Sequence, residues 1–211
     1  MLKQLRGDLL RALGTVGNDR ETQARAAELH AAYRTNPDAV DPNVLPAIVS
    51  VLAHAGDAAR YAEFEGRYRT AATPQEERRY LYALASFQSA DLLARTLEHT
   101  ISGGFRTQDA PFMVRMVLMN VAGGELAWEF VKKHWDTMDR LYPKQGLRRM
   151  CEGIVGLATP RLERDVRKFF RARRIDLGGK TLAQYLEQLR IAVVFRERAG
   201  RALNRYLSAS R

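Results

Sequence analysis

A single cysteine, Cys151, stands in a chain of 211 residues, so no intramolecular disulfide can staple the fold. Its simplest role is that of a small buried apolar side chain, and its use fits a reducing, cytoplasmic setting. Long apolar runs are missing too. No stretch approaches the ~18 consecutive apolar residues of a membrane span, and the start Met-Leu-Lys-Gln-Leu-Arg-Gly-Asp has no apolar core of signal-peptide length, so the chain reads as soluble, with no membrane among its partners. Histidines are few and scattered. His30, His54, His99 and His134 are never three to five residues apart, and there is no His-Glu-x-x-His and no paired-cysteine motif, so no metal site and no cofactor are expected in this chain, and each histidine is expected at the surface or the core edge. Ser50 and Ser86 lie in helical patterns without a partnered base, and the glycines at 14, 17, 123 and 124 lack the strand and lysine of a phosphate loop. No catalytic residue is indicated.

Period-two alternation is also absent, which argues against a sheet, while helical periodicity runs from end to end. The punctuation divides it into about eleven helices. Leu2 to Leu13 carries an apolar stripe and stops at Gly14; Arg20 to Tyr33 follows; Pro37 and Pro42 hold a loop open before Val44 to Ala55. Asp57 caps a helix bearing Tyr61, Phe64 and Tyr68, and Thr73-Pro-Gln-Glu76 has the form of a capping box. Another helix runs through Leu92 and Leu97 to Ser102-Gly-Gly104, and Thr107 or Asp109 caps the next, which reaches Asn120 with Pro111 in its first turn. Pro143 closes an aromatic helix, Gly146 to Leu157 makes one more, Thr159-Pro160 starts another, and Lys180 to Leu207 forms the longest, bent or broken near Gly200.

Leu13, Leu52, Leu84, Leu118 and Val155 each stand near the end of such a helix, at steps of 39, 32, 34 and 37 residues. Drifting repeats of this length suit helix pairs stacked on their neighbours. The fold expected is therefore all-α, a HEAT/armadillo-like superhelix of paired antiparallel helices, forming one helical-repeat domain over residues 1–211, with a plain helical bundle as the alternative.

Charge is uneven along it. Residues 1–129 hold 14 Lys/Arg against 16 Asp/Glu, whereas the basic subregion 130–211 holds 20 against 8. Within it, Arg161, Arg164, Arg167, Lys168, Arg171 and Arg174 could form a phosphate-binding face, although a solvated helix surface explains them as well. Nucleic acid is the less favoured partner, because Phe169 and Phe170 fall on the apolar side of that helix. A scaffold for another protein stays open too.

The aromatic stripe is more telling. Trp128, Val131, Trp135, Met138 and Tyr142 recur at steps of three and four, the spacing of a packing face, and Trp128, Phe130 and Trp135 are expected in the core. The order Gln108-Asp109, Asn120, Gly123 or Gly124, Ala127-Trp128-Glu-Phe130 and Trp135, followed by Glu152-Gly153, Phe169-Phe170 and Thr181-Leu-Ala-Gln-Tyr-Leu-Glu-Gln-Leu189, resembles the C-terminal helical domain of zinc aminopeptidases of the aminopeptidase N and endoplasmic-reticulum aminopeptidase type. Similarity extends through most of the chain and is most specific from 105 to 195, with departures at His134, Ala192 and Phe195. The resemblance implies a non-catalytic domain that closes over a zinc-bearing catalytic domain and lines its peptide cavity. It makes that catalytic domain and a peptide substrate the partners, and assigns zinc to the absent domain. Arg106, Gln108, Asp109 and Glu152 are the substrate-contact candidates it brings forward.

Overall fold

The computed structural model describes residues 2–173, 175, 177 and 180–209. Among them are eleven α-helices and no strand: α1 (Leu2–Gly14), α2 (Arg20–Thr35), α3 (Leu45–His54), α4 (Ala58–Arg69), α5 (Pro74–Leu84), α6 (Ala90–Ile101), α7 (Ala110–Met119), α8 (Gly124–Leu141), α9 (Lys144–Cys151), α10 (Pro160–Arg173) and α11 (Thr181–Ala209). Two 3-10 turns, Pro37–Ala39 and Glu152–Gly156, complete the set. Among the described residues no helix is long and apolar enough to cross a membrane. The chain divides into two compact units, one up to Leu93 and one from Ala94 onward, the division falling within α6.

Local chemistry fixes the helix starts. Asp19 and Asp57 accept the amides of Thr22 and Arg60 at 2.7 and 3.0 Å, and Thr73 accepts that of Glu76 at 3.2 Å. The Glu76 carboxylate reaches back to the Ala72 amide, one residue beyond its place in a strict capping box.

In the first unit α3 is apolar on nearly every side and is buried accordingly, with α1, α2 and α5 packed on it and α4 packed on α5. The leucine stripe of α1 does not make its contact. A methyl on Gly14 would lie 2.7 Å from both Val51 methyls and one on Gly7 3.0 Å from the Asn43 carbonyl, so α1 turns its glycines toward α3. Leu5, Leu9 and Leu13 are left 51–56% exposed.

Aromatic rings fill the space between α2, α4 and α5. Phe64 lies 5.2 Å from Tyr80 and 5.7 Å from His30, and Tyr61 lies 5.2 Å from Phe87. His30 is fully buried rather than at the core edge; its Nε2 meets the Tyr80 hydroxyl at 3.0 Å and its Nδ1 lies 3.9 Å from Glu63. Around that carboxylate stand Arg34, Arg60 and Arg67 at 3.5, 2.5 and 3.2 Å. Burial drives the His30 imidazole down to about 4; Glu63 partly offsets this, and Arg67, Arg60 and Arg34 reinforce it. The unfolded chain then takes up a proton near pH 6.5 that the folded chain refuses until about pH 4, so the stabilisation is complete above the first value and is lost as pH falls toward the second. Urea unfolding at stepped pH should show a loss of up to about 3 kcal/mol across that window, and His30→Gln should flatten the slope. An unchanged slope in the variant would show that another group carries the effect.

In the second unit α7 takes the central place, with Ala110, Pro111, Met113, Val114, Val117 and Leu118 buried and α8, α9 and the Glu152–Gly156 turn packed around it. The predicted helix from Gly146 to Leu157 is divided into α9 and this 3-10 turn. Gly153 and Gly156 explain the change, because methyls there would come within 2.9 Å of the Arg115 carbonyl and 2.7 Å of the Leu118 carbonyl: the turn lies directly on the α7 backbone. α8 kinks at His134 (φ −111, ψ 15), with the imidazole 4.5 Å from the Phe130 ring. Trp128 and Trp135 are buried as expected, whereas Phe130 is only half-buried and belongs to the margin, because the inward stripe runs through Trp128, Val131 and Trp135. Phe169 and Phe170 of α10 meet both tryptophans at centroid separations of 5.2 to 6.2 Å. α11 continues through Gly200 without the expected break.

Candidate functional site

The residues singled out from the sequence fall into two places in the second unit. The first is the entry to α7. Arg106 and Gln108 are exposed in the turn that leads into the helix, and Asp109 occupies its N-cap position without giving a side-chain capping bond. Pro111 holds the first turn, where its missing amide proton costs no helical bond, and a methyl on Gly146 would lie 2.9 Å from its ring, so α9 begins against this same end of α7. Glu152 is bonded to Arg115 at 3.0 Å. Arg115 lies six residues beyond Asp109, or about 9 Å along the helix axis, so Glu152, at the start of the 3-10 turn, is tied to the helix that Asp109 precedes. Glu152 is two-thirds buried within its ion pair and reaches solvent only at its edge.

The second place is the outer side of α10. Arg164, Arg167, Lys168 and Arg171, at steps of three and four, line a depression of about 390 Å3. They are not equivalent. Arg167 is held by Glu163 at 2.9 Å and donates to the Leu186 carbonyl of α11 at 3.0 Å, while Arg161 is paired with Glu125 at the start of α8. Arg164, Lys168 and Arg171 are exposed, a cationic triad that can take up carboxylates, with the two guanidinium groups able to do so bidentately. Arg174 lies outside the described residues.

One arrangement escaped the sequence reading. About a quarter turn around α10 from the triad, Asp165 accepts the Trp128 indole N–H at 2.8 Å and a bond from the Lys132 ammonium at 2.7 Å. The Lys132 bond, seconded by the indole, holds the Asp165 carboxyl below the ordinary carboxylate range. At Lys132 partial desolvation acts to lower the pKa, but the bonds to Asp165 and Glu129 outweigh it, and the ammonium is raised. The pattern W-x-x-x-K in α8 with an aspartate four residues before Phe169 is the only sequence trace of this pairing, and it has no meaning until the two helices meet.

Chemically, these groups are able to form ion pairs and hydrogen bonds. Cys151 is buried, and desolvation pushes its thiol far up, so no thiolate nucleophile forms there. Among the described residues no group of three or more His, Cys, Asp or Glu is arranged to hold a metal ion.

Comparison with known proteins places the chain in a family. The profile of the ERAP1-like C-terminal domain matches residues 1–191. Aminopeptidase M1-A of Oryza sativa subsp. japonica is 29% identical over 193 residues, covering 89% of this chain and 22% of the rice protein. Aminopeptidase 2, mitochondrial, of Saccharomyces cerevisiae is 24% identical over 194 residues, covering 90% of this chain and 20% of the yeast protein. Glutamyl aminopeptidase of Mus musculus is 27% identical over 136 residues, 64% of this chain and 14% of the mouse protein. The chain thus spans about a fifth of the length of the first two of these relatives. With the family profile matched along nine-tenths of its length, on helices that carry the Asn120–Gly124 break and the Trp128–Trp135 stripe, the chain belongs to the ERAP1-like C-terminal domain family.

Proposed function

We propose that this chain serves as the non-catalytic C-terminal domain of a zinc aminopeptidase, closing over the catalytic domain and lining the cavity that holds the peptide, in the cytoplasmic setting that a lone buried thiol suits. The observation that carries the reading is the match of residues 1–191 to a C-terminal domain family whose curated relatives are aminopeptidases about five times as long. Zinc belongs to the catalytic domain, where it would act as Lewis acid. The residues of this chain supply binding alone.

In this reading Arg106, Gln108 and Asp109 at the α7 entry contact the peptide, and Glu152 fixes Arg115 beside them. The exposed triad Arg164, Lys168 and Arg171 attracts a peptide's terminal carboxylate. The leucine face of α1, with Leu5, Leu9 and Leu13 over a groove of about 500 Å3 shared with α2, is the apolar surface against which an adjoining part of the enzyme packs. A stacked superhelix over residues 1–211 is the arrangement that offers a peptide the longest concave lining. Nucleic acid is the weaker partner, since Arg161 and Arg167 are already engaged by Glu125 and Glu163, leaving a short cationic triad for a phosphate ladder.

The test is direct. The purified chain, supplied with zinc, is incubated with an aminoacyl-fluorophore substrate, and release is expected at the buffer rate. Turnover that co-purifies with the chain and is lost to a chelator would contradict the non-catalytic assignment.

A further inference from the structure

α10 carries the basic residues Arg161, Arg164, Arg167, Lys168, Arg171 and Arg173. Half of them have an acidic partner: Arg161 meets Glu125, Arg167 meets Glu163 at 2.9 Å, and Arg173 meets Asp136 at 2.6 Å. Among the described residues no carboxylate is bonded to Arg164, Lys168 or Arg171. Asp165, which Lys168 influences only through space, is committed to Lys132 at 2.7 Å and to the Trp128 indole. The unpaired three are also the ones that share one side of the helix, at steps of four and three, over the depression of about 390 Å3. Like charges at those steps repel and weaken a helix, so anions bound there relieve it. The walls of the depression are the aliphatic stems of these side chains together with Ala172. Arg167, held by the Leu186 carbonyl at 3.0 Å, stands at its edge.

Spacing narrows the ligand. A rise of 1.5 Å per residue separates Arg164 from Lys168 by about 6 Å along the axis and Lys168 from Arg171 by about 4.5 Å, roughly 10 Å in all. One carboxylate accepts the paired bonds of a single guanidinium or bridges two neighbouring cations, and it cannot engage all three. A terminal carboxylate alone therefore leaves a cation over. Two carboxylates one or two residues apart fit better, since an extended chain advances about 3.3–3.6 Å per residue and the arginine side chains can lean toward one another. We propose that the triad is a specificity site for peptides that carry aspartate or glutamate in one of their last two positions. Arg164 and Arg171 each take one carboxylate, the terminal one and that of the acidic side chain, and Lys168 lies between them as a shared point charge. The aliphatic walls receive the methylenes of the acidic residue. This deepens the proposed function and rests on its reading of the triad as the seat of the terminal carboxylate.

The probes are short synthetic peptides with a fluorophore at the amino end, titrated against the full chain by fluorescence anisotropy. One ends in glutamate. A second has the same composition and charge, with that glutamate moved to the middle and alanine last, and a third is the glutamate-ending peptide with its terminal carboxylate amidated. The first is expected to bind about tenfold or more tightly than either of the others. Arg164→Gln and Arg171→Gln should each remove most of that preference. Arg161→Gln makes the same change in net charge at a residue already paired with Glu125, and it should leave the preference intact. All three positions are exposed, and circular dichroism of the variants is expected to match the parent chain. Equal binding of the two isomers would overturn the proposal, and a loss on amidation would then leave the terminal-carboxylate reading standing. Indifference to amidation would overturn that reading and the proposal with it. A preference kept in full by Arg164→Gln and Arg171→Gln, or tighter binding of an oligonucleotide of equal charge, would also contradict the proposal.

Discussion

Replacing Trp128 by alanine is expected to cost about 3–5 kcal/mol, the largest loss from any single side chain in the second unit. The indole is fully buried, and the Phe169 and Phe170 rings stand against it at 5.2 and 6.2 Å. Alanine would leave an apolar void between α8 and α10 that two rigid rings cannot close. It would also remove the N–H donor that helps to fix Asp165, leaving Lys132 to hold the carboxylate alone. Trp128→Phe separates the two contributions. It keeps most of the packing and loses the donor, so a cost of about 1–2 kcal/mol is expected, a third or so of the alanine effect. Urea unfolding followed by circular dichroism measures both, with the remaining Trp135 reporting on the same pocket by fluorescence. An alanine variant within about 1 kcal/mol of the parent chain would mean that α8 and α10 do not meet as described.

That pocket shows what could be read in advance and what could not. The buried stripe through Trp128 and Trp135 was legible because it depends on spacing within one helix, and the starts at Asp57 and Thr73 were legible because a cap is a bond across three residues. Errors arose where the deciding neighbour is distant in sequence. His30 is buried because Tyr80, fifty residues on, supplies its partner. The helix predicted from Gly146 to Leu157 tightens into a 3-10 turn because Gly153 and Gly156 rest on α7 carbonyls more than thirty residues away. At α1 the leucine spacing favoured a buried stripe, but Gly7 and Gly14 allow a closer approach to α3, and backbone proximity prevailed over side-chain area. Gly200 misled in the opposite sense: glycine disfavours a helix without forbidding one, and α11 runs through it.

The candidate site was less legible than the fold. Spacing placed Arg164, Arg167, Lys168 and Arg171 on one side of a helix, and they do share a depression there. Spacing could not show that Glu163 and the Leu186 carbonyl already occupy Arg167, or that Glu125 meets Arg161. Likewise Glu152 was chosen by resemblance alone, and its bond to Arg115 is a fact of how α9 lies against α7.

In the proposed function, this domain acts on peptide cleavage without performing it. A lid that closes over a substrate acts by excluding water and by positioning, and positioning matters most for a substrate long enough to reach from the catalytic centre into the helical lining. The measurement is kcat/KM for the zinc-bearing catalytic part of the parent aminopeptidase, with and without this chain fused to it, on a short aminoacyl-fluorophore and on peptides of increasing length. The account predicts that removing the chain lowers cleavage of the longest peptides by about tenfold or more, and that the loss shrinks steadily toward the short substrate. A loss equal at every length, or no loss at all, would contradict it.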